Sequence, residues 1–112
     1  MPRKTQENVQ TLTREAQTCV QVASIYFKYD EVKLELFELE AFLNRLRYLA
    51  TYLEYYIDDR ALIGKLKYFC MQLVAHIDFI RKRPGVQKRK RINRLDIDQL
   101  LKKVSEQSKK AA

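Results

Sequence analysis

Leu36-Phe37-Glu38-Leu39-Glu40-Ala41-Phe42-Leu43-Asn44-Arg45-Leu46-Arg47-Tyr48-Leu49-Ala50 places Leu36, Leu39, Leu43, Leu46 and Ala50 at alternating intervals of three and four. The same seam reaches back to Val32 and on through Leu53 to Ile57. Residues at that spacing line one face of an α-helix, and a seam this long calls for other helices to cover it. Asp30 stands where a cap for such a helix would sit. The stretch predicts a long second helix in an all-α chain.

Towards the N-terminus, Val9, Leu12, Ala16, Cys19, Ala23 and Tyr26 keep a helical rhythm and predict a first helix from about Thr5 to Tyr29. On the other side, Leu62, Leu66, Phe69, Leu73, Ile77 and Ile80 predict a third. Extending the seam of the second helix would bury Arg60, Gly64, Lys67 and Met71, so the apolar face must restart. A turn at Asp58-Asp59 is the simplest cause, and either aspartate can cap the third helix. Short connections imply antiparallel neighbours, which gives an up-down-up helical bundle of three long helices. Pro84-Gly85 should end the third helix or follow its last turn. A short C-terminal helix can start near Asn93 or Asp96 with Ile97, Leu100, Leu101 and Val104 as its apolar face. It would dock on the bundle or order only with a partner, and residues from about Ser105 read as frayed. The organisation is then a three-helix body over residues 1–80 and a basic extension with a short helix over 81–112.

Composition agrees with this reading. A chain of 112 residues with two glycines and two prolines has too few turn formers for a many-stranded sheet. No apolar run is long enough to span a bilayer, and Met1-Pro2-Arg3-Lys4-Thr5 lacks the apolar core of a signal peptide. Cys19 and Cys70 lie far apart inside helical patterns, which fits reduced core thiols better than a disulfide. The expectation is a cytoplasmic protein without a membrane partner.

The charge is segregated. Residues 1–80 hold ten Lys/Arg against eleven Asp/Glu, whereas residues 81–112 hold twelve against three. Between positions 81 and 94 stand Arg81, Lys82, Arg83, Lys88, Arg89, Lys90, Arg91 and Arg94, with no acid among them. Lys and Arg neutralise phosphates and release condensed counterions, so such a run points to a polyanion, with nucleic acid foremost. An anionic protein or membrane surface, or a merely solvated tail, are the alternatives. Its two clusters, Arg81–Arg83 and Lys88–Arg91, also fit a nuclear-localisation pattern, so a nuclear location is open. Arg45, Arg47, Lys65 and Lys67 form a second basic group. In an antiparallel hairpin, residues 47 and 67 should lie at similar height and extend the phosphate-binding surface, unless these charges simply pair with Glu54, Asp58 and Asp59.

A third feature is aromatic. Arg45, Tyr48, Tyr52 and Tyr55 share the side of the second helix away from its seam. Tyrosine suits a surface that is partly buried and partly wet, so the stripe reads as a protein interface or as internal packing. Stacking on nucleic-acid bases is the alternative. The breadth of the apolar surface, with Phe42, Leu49 and Tyr56 added, makes oligomerisation a serious expectation. His76 is the sole histidine and borders the third stripe, where a core-edge role is expected. No phosphate-binding glycine loop, nucleophile elbow or metal quartet is present, so neither catalytic residue, metal ligand nor cofactor is assigned and the chain reads as a non-enzyme.

Leu46-Arg47-Tyr48-Leu49, followed by a second amphipathic helix ending Ile77-Asp78-Phe79-Ile80-Arg81-Lys82, resembles the accessory variability-determinant proteins of diversity-generating retroelements. That likeness implies a small basic four-helix bundle that forms pentamers and binds a reverse transcriptase and its RNA. The chain departs from the pattern in lacking the glycine-rich packing positions of the last helix and in continuing into a further basic segment. Leu43-Asn44-Arg45-Leu46-Arg47, a short turn and Leu62 are similar to the layout of nodavirus-type silencing suppressors, helical dimers that lay a helix face along double-stranded RNA. Both likenesses imply an RNA-binding helical oligomer, an accessory or ribonucleoprotein component, with RNA favoured over DNA. A structural or adaptor subunit of a larger assembly is the competing reading.

Overall fold

A computed structural model of the chain describes residues 2–83, Gly85 and residues 95–111, with side chains from Asn8 to Lys110 within those limits. Four helices form, α1 (Pro2–Lys28), α2 (Leu36–Tyr56), α3 (Arg60–Arg81) and α4 (Ile97–Ala111), and no strand occurs among the described residues. The first three make the up-down-up bundle. An ion pair of Arg81 with Glu40 joins the end of α3 to the start of α2, and one of Lys67 with Glu54 joins their opposite ends, so the two helices run antiparallel.

The core follows the seam. Leu39, Leu43, Leu46, Ala50 and Leu53 of α2 are buried with Phe42 and Leu49, against Ala16, Cys19, Val22 and Ala23 of α1 and Leu62, Leu66, Leu73 and Ile77 of α3. Burial of each large aliphatic side chain contributes about 1.5–3 kcal/mol before conformational entropy is subtracted. The short fourth helix docks on the bundle. It packs on α1 and adds Leu100 and Val104 to the same core, so the 81–112 stretch shares the interior of residues 1–80. Helix α1 thus packs against all three others, and no described helix is long and apolar enough to cross a membrane.

Two boundaries differ from the sequence expectation. Asp30 does not cap α2. The chain makes a turn at residues 30–31 and runs irregularly to Glu35, and only there does α2 begin, with the Glu38 carboxylate accepting from the Glu35 N–H at 2.9 Å. Val32 remains buried although it precedes the helix, which is why the seam seemed to start there. Helix α4 begins at Ile97 with Asp96, one of the two expected starts, as its cap, accepting from the N–H groups of Asp98 (3.1 Å) and Gln99 (3.2 Å), while Asn93 lies outside the described residues. The chain also does not fray at Ser105. The Gln107 side-chain amide donates to the Lys33 carbonyl at 3.0 Å and accepts from the Lys33 N–H at 2.7 Å, which pins the last turns of α4 to the α1–α2 connection. The turn at Asp58-Asp59 forms as expected, with Asp59 accepting from the Leu62 N–H at 3.1 Å as the α3 cap. Gly85 follows the end of α3 with φ of 82°, a left-handed conformation that glycine adopts without the Cβ clash of other residues.

Candidate nucleic-acid and protein interfaces

The basic run starts where α3 ends. Arg81 reaches across to Glu40, Lys82 pairs with Asp78 at 3.0 Å, and the Arg83 guanidinium lies over the Phe79 ring at 4.7 Å from its centroid. All three side chains are exposed. Lys88, Arg89, Lys90, Arg91 and Arg94 lie outside the described residues. Helix α4 carries further exposed cations that the sequence reading did not single out, Lys102, Lys109 and Lys110, whereas Lys103 is tied to Glu38 at 2.7 Å. The charge imbalance of the last third of the chain already contained that signal.

The second basic group is not brought together. Arg45 faces α1, where its guanidinium forms a two-point contact with Glu15, the Nη2 bond being 2.8 Å. That hydrogen bond, partly offset by burial and reinforced by the Glu15 charge, pushes its pKa further up. Lys67 is engaged with Glu54. Arg47 and Lys65 are exposed and make no ion pair among the described residues. Residues 47 and 67 are not at similar height. Lys67 sits beside Glu54, two turns along α2 from Arg47, and Arg47 instead lines a groove with Cys70, Met71 and Val74. The hairpin turns at Ile57–Asp59, and the observed pairs set opposing positions about two helical turns further along α3 than the expectation assumed.

The tyrosines form one connected ladder. The Arg45 guanidinium lies 4.9 Å from the Tyr48 ring centroid, Tyr48 stacks on Tyr52 at 5.9 Å, and Tyr52 lies 4.7 Å from Tyr56. Tyr55 closes the series edge-on to Tyr56 at 5.2 Å. Tyr52 is half-buried, and burial followed by its two tyrosine neighbours pushes its phenol pKa up. Tyr48 and Tyr56 are exposed, and Tyr55 is 84% exposed. The face is therefore only partly covered within the monomer.

The remaining candidates resolve into structure. His76 is half-buried, with Nε2 2.5 Å from the Tyr26 hydroxyl. Cys19 and Cys70 are free thiols, and burial, with Glu15 adding and Arg45 opposing, pushes Cys19 up to about 12. No group of three His, Cys, Asp or Glu side chains placed to hold a metal ion occurs among the described residues. Between α2 and α3 runs an open groove of about 730 Å³, floored by Leu43 and Ile77 and edged by Arg47, Asp78 and Arg81. No known protein family, characterised protein or solved structure matches this chain.

Proposed function

We propose that this chain is a non-enzymatic, nucleic-acid-binding helical protein whose phosphate contacts come from the basic connector between α3 and α4. One observation carries the reading. The cationic run that reads as an extension in the sequence is instead a connector between two packed helices, since α3 ends at Arg81 and α4 restarts at Ile97 on α1. A segment held at both ends has less conformational freedom to lose on binding than a free tail, so more of its contact energy remains as affinity. Arg81 and Lys82 would exchange exposed carboxylate partners for phosphates, a substitution with small penalty because such pairs contribute about 0–1 kcal/mol. Arg83, Lys88, Arg89, Lys90, Arg91 and Arg94 complete the set. Arg47 and Lys65, exposed and without an ion pair among the described residues, would add weaker contacts, while Arg45 and Lys67 serve ion pairs within the bundle.

The preference for RNA rests on the two family likenesses, since basic side chains alone do not read a 2′-hydroxyl. The suppressor-like variant, with α2 laid along a duplex, is disfavoured by the engagement of Arg45 with Glu15. Binding of the full chain to duplex RNA, duplex DNA and single strands over a salt series tests the proposal. Six to eight phosphate contacts give a log–log salt slope of about −5 to −7 on a duplex. Replacing Lys88, Arg89, Lys90 and Arg91 by Gln should flatten that slope and weaken binding on every sequence. Unchanged affinity in that variant sinks the reading.

The adaptor reading keeps one observation in its favour. The exposed large apolar side chains among the described residues all stand on α2 and α3. If it is correct, replacing Tyr48, Tyr52 and Tyr55 by Ser disrupts assembly seen by light scattering while nucleic-acid affinity stays unchanged.

A further inference from the structure

Helix α4 packs on α1 and not on α3, so among the described residues no fourth helix covers the exposed side of α3. That side is not the polar surface expected of a solvated helix. It presents Tyr68 (55% exposed), Met71 (71%), Val74 (43%) and Phe79 (58%). Lys67, Met71, Val74 and Asp78 follow one another at intervals of four, three and four, so they form a single exposed stripe along the α3 rim of the α2–α3 groove. The stripe has apolar residues at its centre, a cation at one end and an anion at the other.

We propose that this face is where a second copy of the chain docks, α3 against α3, antiparallel about a two-fold axis between Met71 and Val74. The pattern is self-complementary under that operation. Position 71 meets position 74 of the other copy, and Lys67 meets Asp78. Tyr68 and Phe79, one helical step to the same side of the stripe, come to nearly the same height as each other across the axis. An isologous contact requires this, because every residue must find its partner on the same patch. Within one copy Lys67 already pairs with Glu54, and Asp78 with Lys82. Docking lines these pairs up as Glu54, Lys67, Asp78 and Lys82, with charge alternating along the row. The four apolar side chains supply the centre, the charges supply the rim, and the charge order rejects the parallel alternative, in which Lys67 would face Lys67.

Sedimentation equilibrium of the full chain, free of nucleic acid, tests this. A monomer–dimer equilibrium is expected, weakened at least tenfold by Met71→Glu. Lys67→Glu and Asp78→Lys should each weaken self-association about tenfold, because each puts two like-charged contacts into the homodimer. Mixing the two variants should restore it, since the heterodimer regains opposite charges at both contacts. All three positions are exposed, and circular dichroism verifies that the variants fold. A chain that stays monomeric up to its solubility limit overturns the proposal. So does an assembly that persists in Met71→Glu, or a pair of charge variants that fail to rescue each other. Dissociation by Tyr55→Ser alone would move the contact to the tyrosine ladder and overturn it as well.

Discussion

The Tyr26 hydroxyl and Nε2 of His76 share a hydrogen bond of 2.5 Å, tying the last turn of α1 to the C-terminal half of α3. The pair belongs to a small aromatic cluster in which Phe27 stacks on Phe69 at 6.1 Å and meets the His76 ring edge-on at 5.8 Å. For His76 to accept, its ring must be neutral, and the surroundings favour that form. Burial first, then the positive charges of Arg83 and Lys33, hold its pKa below the ordinary histidine value. Burial raises the Tyr26 phenol in the same way, so the proton stays on the hydroxyl.

A histidine whose folded pKa is depressed stabilises the fold above its unfolded pKa, about 6.5, and loses that contribution as pH falls below it. Urea midpoints should therefore drop between pH 7.5 and pH 5.5, with the unfolded chain taking up the extra proton. In His76→Gln the hydrogen bond can be kept while the titration is removed, and the midpoint difference over that interval should shrink. Equal differences in both proteins would assign the acid sensitivity to other groups.

The two thiols should differ in reactivity by orders of magnitude. Cys19 is fully buried with its pKa pushed up to about 12, whereas Cys70 is only partly buried and edges the α2–α3 groove near Arg47. Thiolate is the reactive form, so an aromatic disulfide reagent at neutral pH should modify one thiol slowly in the folded protein and the second only on global unfolding. Cys70→Ser should abolish the first phase and leave the second. Above about pH 9, the unfolded chain releases the Cys19 proton before the folded chain does, so this residue also makes the fold lose stability as pH rises further.

Leu100→Ala tests whether α4 is integral. Leu100 is buried in the common core, so truncation should destabilise the whole protein by about 2–5 kcal/mol in a single cooperative transition. A helix that merely rested on the bundle would instead melt separately, with little change in the midpoint reported by tyrosine fluorescence from α2.

The fold was legible wherever a residue's neighbours along the chain decided its state. The α2 seam, the restart of apolar phase after Ile57 and the Asp59 cap are local patterns, and all three hold. The errors arise where a distant residue intervenes. Asp30 has the chemistry of a cap, but Glu38 supplies the alternative five residues later at Glu35, and Lys103 of α4 holds that carboxylate in place. The C-terminal turns look unsupported until Gln107 meets the backbone of Lys33. The site reading shares this limit. Arg45 looks like a free cation beside tyrosines because Glu15 is thirty positions away along the chain. Arg60, Gly64, Lys67 and Met71 continue the phase of the α2 seam, yet on α3 they are all exposed. Sequence periodicity marks a stripe but does not say which stripe another helix will cover.

The packing of α4 on α1 also orders events in time. Helix α1 cannot acquire its last neighbour until α4 has left the ribosome, so native contacts join the first and fourth helices of the fold across the whole α2–α3 hairpin. Before then, the nascent chain can form the α2–α3 hairpin, whose partners are local, but α1 must wait with part of its apolar surface unmatched. Completion of the fold consequently waits on α4, and a ribosome stalled anywhere before Leu100 would hold a hairpin with an unfinished first helix.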